Sequence, residues 1–99
     1  MTAERRRRHR LKLGWRVQLA RPCTHVLVSA ETDNLNSGGF YCISEEPFSP
    51  GESLECDLFI PANPGVLEGP NVVLHRQVKV LRLEIKGLEP GFGIACQFE

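Results

Sequence analysis

Two arginines near the start of the chain have the residue type and the spacing to hold an anion. Arg6 and Arg10 are separated by three residues within the run RRRRHR of residues 5–10. A guanidinium group stays charged, pairs bidentately with phosphate or with guanine O6 and N7, and stacks on planar bases. In an extended segment both side chains project to the same side, roughly 13 Å apart at ~3.3 Å per residue. That separation suits a ligand of the size of a compact dinucleotide.

The basic run also allows two other interpretations. Residues 1–16 carry a net charge of +6 and the remainder carries −6, so a cationic arm on an anionic body indicates an anionic partner. Nonspecific contact with RNA or DNA phosphates is the simplest explanation of clustered arginines. A membrane-surface tail is a weaker explanation, because no apolar face or lipidation signal accompanies the arginines.

A second polar stretch, DNLNSGGF at residues 33–40, could supply the other side of a binding site. Asn34 and Asn36 share one strand phase, and Gly39 follows where a missing side chain permits positive φ or the close approach of a ligand. The structural alternative is a simple hairpin turn, since Asn, Ser and Gly are the residues that turns prefer. The stretch alone favours the turn.

The elements that must position these residues are β-strands. Apolar and polar residues alternate with period 2 along most of the chain, and turn sequences such as PFSPGE, PANPG and KGLEPG separate the apolar runs. A phase change near Val80-Leu81 indicates a bulge. We predict an all-β fold in which six strands close into a small antiparallel barrel over residues 13–99, preceded by a flexible Arg-rich arm over residues 1–12. Trp15 shares the phase of its apolar neighbours and is assigned to the core.

Other functional classes find little support in the sequence. The motifs HExxH, GxSxG and GxxxxGK[ST] are absent, so we predict that the protein is not an enzyme. The four cysteines contain no CxxC pair and the three histidines are dispersed, which predicts no metal site and four buried, reduced thiols. No apolar run is long enough to span a membrane, and no apolar segment follows the N-terminal charges, so we predict a cytoplasmic protein without membrane insertion.

Together these residues resemble the PilZ domain, the bacterial receptor module for cyclic di-GMP. RRRHR, from Arg6 to Arg10, matches the RxxxR motif of the family's N-terminal arm. NLNSGG matches its [DN]xSxxG motif at Asn34 and Gly39. The segments GGFYC, PFSPGESLECDLFIP and GFGIACQFE also resemble the family, so the similarity extends over essentially the whole chain.

The resemblance implies roles for five residues. Arg6 and Arg10 would grip guanine edges and phosphates as the arm orders around cyclic di-GMP. Asn34 would offer hydrogen bonds from the barrel surface, and Gly39 would shape the turn. Asn36 stands at the motif's Ser position, where its amide can still bond a base or phosphate but is bulkier than a hydroxyl. A single lost hydrogen bond there costs about 0.5–1.5 kcal/mol.

Three functional hypotheses follow. The first is a stand-alone cyclic di-GMP receptor that changes conformation on binding and regulates an unidentified effector protein in bacterial signalling. The second is a PilZ-like scaffold in motility or surface-structure assembly that acts by protein contact without the nucleotide, which the Asn36 departure favours. The third is nucleic-acid binding through the arm, which ranks last because few aromatic residues are available to stack on bases.

Overall fold

Six β-strands make up the described part of this computed structural model, which covers residues 14–62, 70–85 and 90–99. The strands are β1 (Arg16–Ala20), β2 (Leu27–Asn36), β3 (Gly39–Ser44), β4 (Ser53–Pro61), β5 (Asn71–Ile85) and β6 (Phe92–Phe98). Arg6 and Arg10, together with the predicted arm of residues 1–12, lie outside the described residues.

The strands close into an antiparallel barrel in the order β1-β2-β3-β6-β5-β4. Strands that are consecutive in the order pair antiparallel, and the pairing of β1 with β4 completes the ring. Closure gives every strand two hydrogen-bonded neighbours, so the sheet has no exposed edge. The predicted all-β, six-stranded antiparallel barrel is therefore confirmed.

Apolar side chains on one face of each strand fill the barrel, as the period-2 pattern predicts. The core cluster consists of Val17, Leu19, Val28, Ala30, Phe40, Cys42, Phe48, Leu54, Cys56, Leu58, Val78, Val80, Ile94 and Cys96. Full burial of a side chain such as Leu58 stabilises the fold by about 1.5–3 kcal/mol. The barrel interior is thus filled by protein side chains.

Three of the four cysteines are buried thiols in this core, as predicted. Burial raises the pKa of Cys56 to about 12, and a hydrogen bond with Cys96, reinforced by burial, raises the pKa of Cys42. The Cys42 and Cys56 thiols therefore stay protonated and unreactive at neutral pH. The prediction is wrong for Cys23, which is exposed because it lies in the turn after β1 rather than in a strand.

The connection between β3 and β4 crosses one end of the barrel, because these strands occupy opposite positions in the ring. Phe48, which the sequence places in an ordinary turn, is only 1% exposed and packs in the core. The Arg21 guanidinium lies 4.7 Å from the Phe48 ring centroid, and its Nε donates to Glu52 Oε1 at 2.6 Å. The turn therefore contributes the Phe48 side chain to the core at that end of the barrel.

Two bulges interrupt the strand pairing. In β5 the register shifts at Leu81, which confirms the bulge predicted near Val80-Leu81. In β2 the register shifts at Asp33, where the sequence pattern predicts no bulge. A bulge bends its strand and increases the local twist. Both bulged residues line the same cavity on the outer face of the barrel.

Candidate functional site

A cavity of about 480 Å³, which we call the outer-face cavity, extends across β2, β3, β6 and β5. Its lining consists of Asp33, Asn34, Asn36, Gly38, Gly39, Phe40, Tyr41, Leu81, Arg82, Glu84, Ala95, Cys96 and Gln97. The volume falls within the range of about 300–1,000 Å³ that is usual for small-molecule sites. The lining is rich in amide and charged groups, which suits a polar ligand.

A row of paired residues crosses the floor of the outer-face cavity. Asn34 lies opposite Tyr41, and Tyr41 lies opposite Ala95. Ala95 in turn lies opposite Arg82. Side chains in directly opposite positions stand only about 4.5–5.5 Å apart at their Cβ atoms. The short Ala95 thus stands between the longer side chains of Tyr41 and Arg82.

Gly39 permits β3 and β6 to approach closely beneath the outer-face cavity. A Cβ atom on Gly39 would lie 2.0 Å from the carbonyl oxygen of Cys96, a distance that no real Cβ atom tolerates. The residue does not have the positive φ found at glycines such as Gly14 and Gly51. Gly39 is therefore required by the neighbouring backbone, and neither of the reasons considered from the sequence, positive φ or ligand approach, is needed to explain it.

Asn36 holds the turn between β2 and β3 with its own side chain. Its Oδ1 accepts hydrogen bonds from the backbone N–H of Gly38 at 2.7 Å and of Gly39 at 3.1 Å. Such an Asx turn is a common way for Asn to stabilise a reversal of the chain. The amide oxygen thus serves the turn, and the Nδ2 group is the part of Asn36 suited to donate to a ligand.

A hydrogen-bonded chain of Tyr41, Glu84 and Arg82 forms one wall of the outer-face cavity. The Tyr41 hydroxyl donates to Glu84 Oε1 at 2.8 Å, and Arg82 Nε donates to Glu84 Oε2 at 3.0 Å. Burial, together with the hydrogen bond to Glu84 and its charge, raises the pKa of Tyr41 to about 12. The phenol therefore keeps its proton at neutral pH and remains a donor to the carboxylate.

The segment that precedes β1 is fixed to β2 beside the outer-face cavity. The backbone N–H of Trp15 donates to Thr32 Oγ1 at 2.9 Å, and the backbone N–H of Thr32 donates to the Trp15 carbonyl oxygen at 2.8 Å. The Gly14 N–H donates to the Thr32 carbonyl at 3.0 Å. Thr32 directly precedes Asp33, the first cavity-lining residue of β2. The chain thus enters the described structure next to the cavity.

The prediction that Trp15 belongs to the core is wrong. Trp15 is only half-buried and does not belong to the core cluster. Its alternation with Val17 continues the phase of β1, but the residue lies beyond the end of that strand. Its backbone pairs with Thr32, while its side chain lacks the enclosure that the barrel interior provides.

The structure brings together three of the five predicted site residues. Asn34, Asn36 and Gly39 all line the outer-face cavity, while Arg6 and Arg10 fall outside the described residues. Tyr41 and Glu84 were not among the predicted site residues; they are 43 positions apart and meet only through the pairing of β3, β6 and β5. Both side chains lie in the outward phase of their strands, but ordinary surface residues share that phase, so it does not distinguish a binding residue.

No family model, curated protein or solved structure matches this chain at the level at which a relationship would be accepted. Within residues 14–62, 70–85 and 90–99, no helix is long and apolar enough to cross a membrane. In the same part of the chain, no three His, Cys, Asp or Glu side chains are grouped so that they could hold a metal ion.

Proposed function

We propose that this protein is a cytoplasmic receptor for cyclic di-GMP that regulates an effector protein through a change in conformation on binding. The supporting observation is the position of the outer-face cavity. It contains Asn34, Asn36 and Gly39, and it lies directly beyond Thr32, where the segment leading from the arginine-rich arm is attached. The barrel-side motif of the resemblance therefore lies close to the point where the segment that follows the arginines joins the barrel.

The length of the chain before Gly14 is compatible with a clamp. Arg10 precedes Gly14 by four residues and Arg6 precedes it by eight. A fully extended chain spans at most about 3.3–3.6 Å per residue, so these backbones can reach roughly 14 Å and 28 Å from Gly14. Gly14 is hydrogen-bonded to Thr32, and the next residue, Asp33, already lines the outer-face cavity. The cavity therefore lies within the reach of both arginine backbones. The two guanidinium groups can therefore meet a ligand in the cavity.

Charge favours a division of roles between arm and barrel. The outer-face cavity contains two carboxylates, Asp33 and Glu84, and a single guanidinium, Arg82. Such a lining attracts hydrogen-bond donors and repels phosphates. Residues 1–16, with their net charge of +6, supply phosphate-binding groups in addition to Arg82. A cyclic dinucleotide offers both parts, since its bases carry donors and its backbone carries two negative charges.

The energetic cost of ordering the arm can be offset by these contacts. Folding a segment on binding typically costs about 2–5 kcal/mol or more. Each hydrogen bond to a charged group contributes about 1.5–3 kcal/mol, so the four bonds of two bidentate arginines are enough to offset a cost of that size. Ligand binding and arm ordering are then one event, and the ordered arm is the new surface that an effector recognises.

Calorimetric titration with cyclic di-GMP tests the function. We expect binding by the native chain and its loss in Arg6→Ala and Arg10→Ala, while Arg76→Ala, which removes an arginine outside the cavity, retains it. An absence of heat with the folded native chain, at ligand concentrations well above the micromolar range, would exclude the receptor function. A heat signal that falls steeply with salt and is reproduced by polynucleotides would indicate nucleic-acid binding instead.

The scaffold function is a second candidate, because the Asn36 Oδ1 atom is already bonded to Gly38 and Gly39. An oxygen held in the turn is not directed to a ligand. Capture of the same effector with and without cyclic di-GMP, unchanged by Arg6→Ala, would favour the scaffold over the receptor.

A further inference from the structure

The Glu84 carboxylate is set in a fixed position within the outer-face cavity. Tyr41 and Arg82 each donate to one of its two oxygens, at 2.8 and 3.0 Å. Its side chain is nevertheless 43% exposed, so the carboxylate is accessible from the cavity. An ionised carboxylate can accept about four hydrogen bonds, and one oriented by Tyr41 and Arg82 can also accept from a bound base.

Asp33, the other carboxylate of the outer-face cavity, is held differently. It is the bulged residue of β2, and no hydrogen bond joins its side chain to another residue in the described part of the chain. Binding groups are most selective when neighbouring contacts lock their position before the ligand arrives. By that criterion Glu84 is the better candidate for a specific contact.

Guanine and adenine differ in what they present to such a group. The Watson–Crick edge of guanine carries two adjacent donors, N1–H and the N2 amino group, which match the two oxygens of a carboxylate. Adenine has an acceptor at N1 and a single amino donor at N6, so its edge places a lone pair against the negative charge. A buried or half-buried polar group left without its partner discriminates strongly between such analogues.

We propose that Glu84 is a specificity-determining residue that reads the N1–H and N2–H edge of a guanine base in the outer-face cavity, with Tyr41 and Arg82 as positioning residues. This inference rests on the proposed binding of cyclic di-GMP. It assigns the base to the barrel and leaves the phosphates to the arm. It also gives the hydrogen-bonded chain of Tyr41, Glu84 and Arg82 a role beyond stability.

The decisive variant is Glu84→Gln, because simple electrostatics and base reading predict opposite results. Removing a negative charge near a dianionic ligand should strengthen binding if Glu84 makes no contact. Loss of a charged acceptor for two donors should weaken binding of cyclic di-GMP by about tenfold or more, since hydrogen bonds to charged groups are worth that factor or more. Binding of cyclic di-AMP should change little or increase.

Calorimetric titrations of the full chain with cyclic di-GMP and with cyclic di-AMP measure both effects. Glu31→Gln is the matched control, because it removes the same charge from an exposed position on β2 outside the outer-face cavity. We expect this control to leave the preference for cyclic di-GMP unchanged. Tyr41→Phe should lower the preference by several-fold, which a purely structural role of the hydroxyl would not do.

Three results would overturn the inference. Equal or tighter binding of cyclic di-GMP by Glu84→Gln would show that Glu84 does not read the base. Loss of the guanine preference in Asp33→Asn but not in Glu84→Gln would assign the reading to Asp33. Absence of binding by the native, folded chain would exclude the proposed function together with the inference, whereas the first two results leave the function intact.

Discussion

The ring of Tyr41 occupies the space that a side chain on Gly93 would need. A Cβ atom on Gly93 would lie 1.8 Å from the Tyr41 hydroxyl oxygen and 2.6 Å from the ring carbon that carries it. Tyr41 lies on β3 and Gly93 on the neighbouring β6. The phenol therefore extends across β6 to reach Glu84 on β5, and it can do so only because residue 93 is glycine.

Gly93→Ala should displace the Tyr41 ring and break its hydrogen bond to Glu84. Overpacking of this kind costs typically about 1–3 kcal/mol of unfolding free energy, measured by denaturant titration. Tyr41→Ala vacates the contested space, so the double variant should lose less stability than the sum of the two single changes. Strictly additive losses would show that the two residues do not compete for one space.

Gly39→Ala should be more damaging than Gly38→Ala, although the two glycines are adjacent. The new methyl group at position 39 meets the Cys96 carbonyl, which is backbone and cannot move aside. At position 38 the nearest atom is Asn36 Oδ1 at 3.5 Å, an ordinary contact. We expect a loss of about 3 kcal/mol or more at position 39, and a change within about 1 kcal/mol at position 38. Thermal or denaturant unfolding of both variants checks the comparison.

Tyr41 should titrate with a pKa of about 12, above its ordinary value of 10.0. Tyr41 is the only tyrosine in the chain, so the absorbance of tyrosinate reports it directly. Because the pKa is raised in the folded state, the associated stability is fully present below pH 10 and is lost as the pH rises toward 12. Glu84→Gln should lower the pKa, while burial keeps it above the ordinary value. A native titration near pH 10 would contradict this account.

Replacement of Asn36 separates its role in the turn from its role in binding. Asn36→Ala removes the acceptor for the Gly38 and Gly39 N–H groups and should cost about 0.5–1.5 kcal/mol of stability. Asn36→Ser keeps a shorter acceptor that can form a similar turn, so it should cost less. We expect Asn36→Ser to bind cyclic di-GMP equally or more tightly. A marked loss of affinity would show that the Asn36 amide is itself a ligand contact.

The sequence was sufficient to predict the barrel because the alternation of apolar and polar residues within each strand shows which of its faces is buried. The alternation of Leu54, Cys56 and Leu58 identifies buried positions without knowledge of the neighbouring strand, and the phase change in β5 revealed its bulge. Phe48 escaped prediction because it lies in a turn, where no alternation indicates burial. Its position in the core follows from the crossing of the barrel end, which only the strand order reveals.

The site was only partly predictable for a related reason. Asn34, Asn36 and Gly39 are close in sequence, so a short motif contains them. Tyr41, Glu84 and Ala95 come together through cross-strand register, and a shift by one residue would turn each to the other face. The bulge at Asp33 sets that register for β2. No property of the isolated segments indicated where it would fall.

The order of the strands divides the barrel into two three-stranded meanders, β1-β2-β3 and β4-β5-β6, which meet along two seams. The outer-face cavity straddles one of them, where β3 pairs with β6, and takes its lining from both meanders. A molecule bound there contacts both sides of the seam. Its binding free energy therefore adds to the free energy required to separate the meanders, so that an occupied cavity fastens the barrel where two distant parts of the chain join.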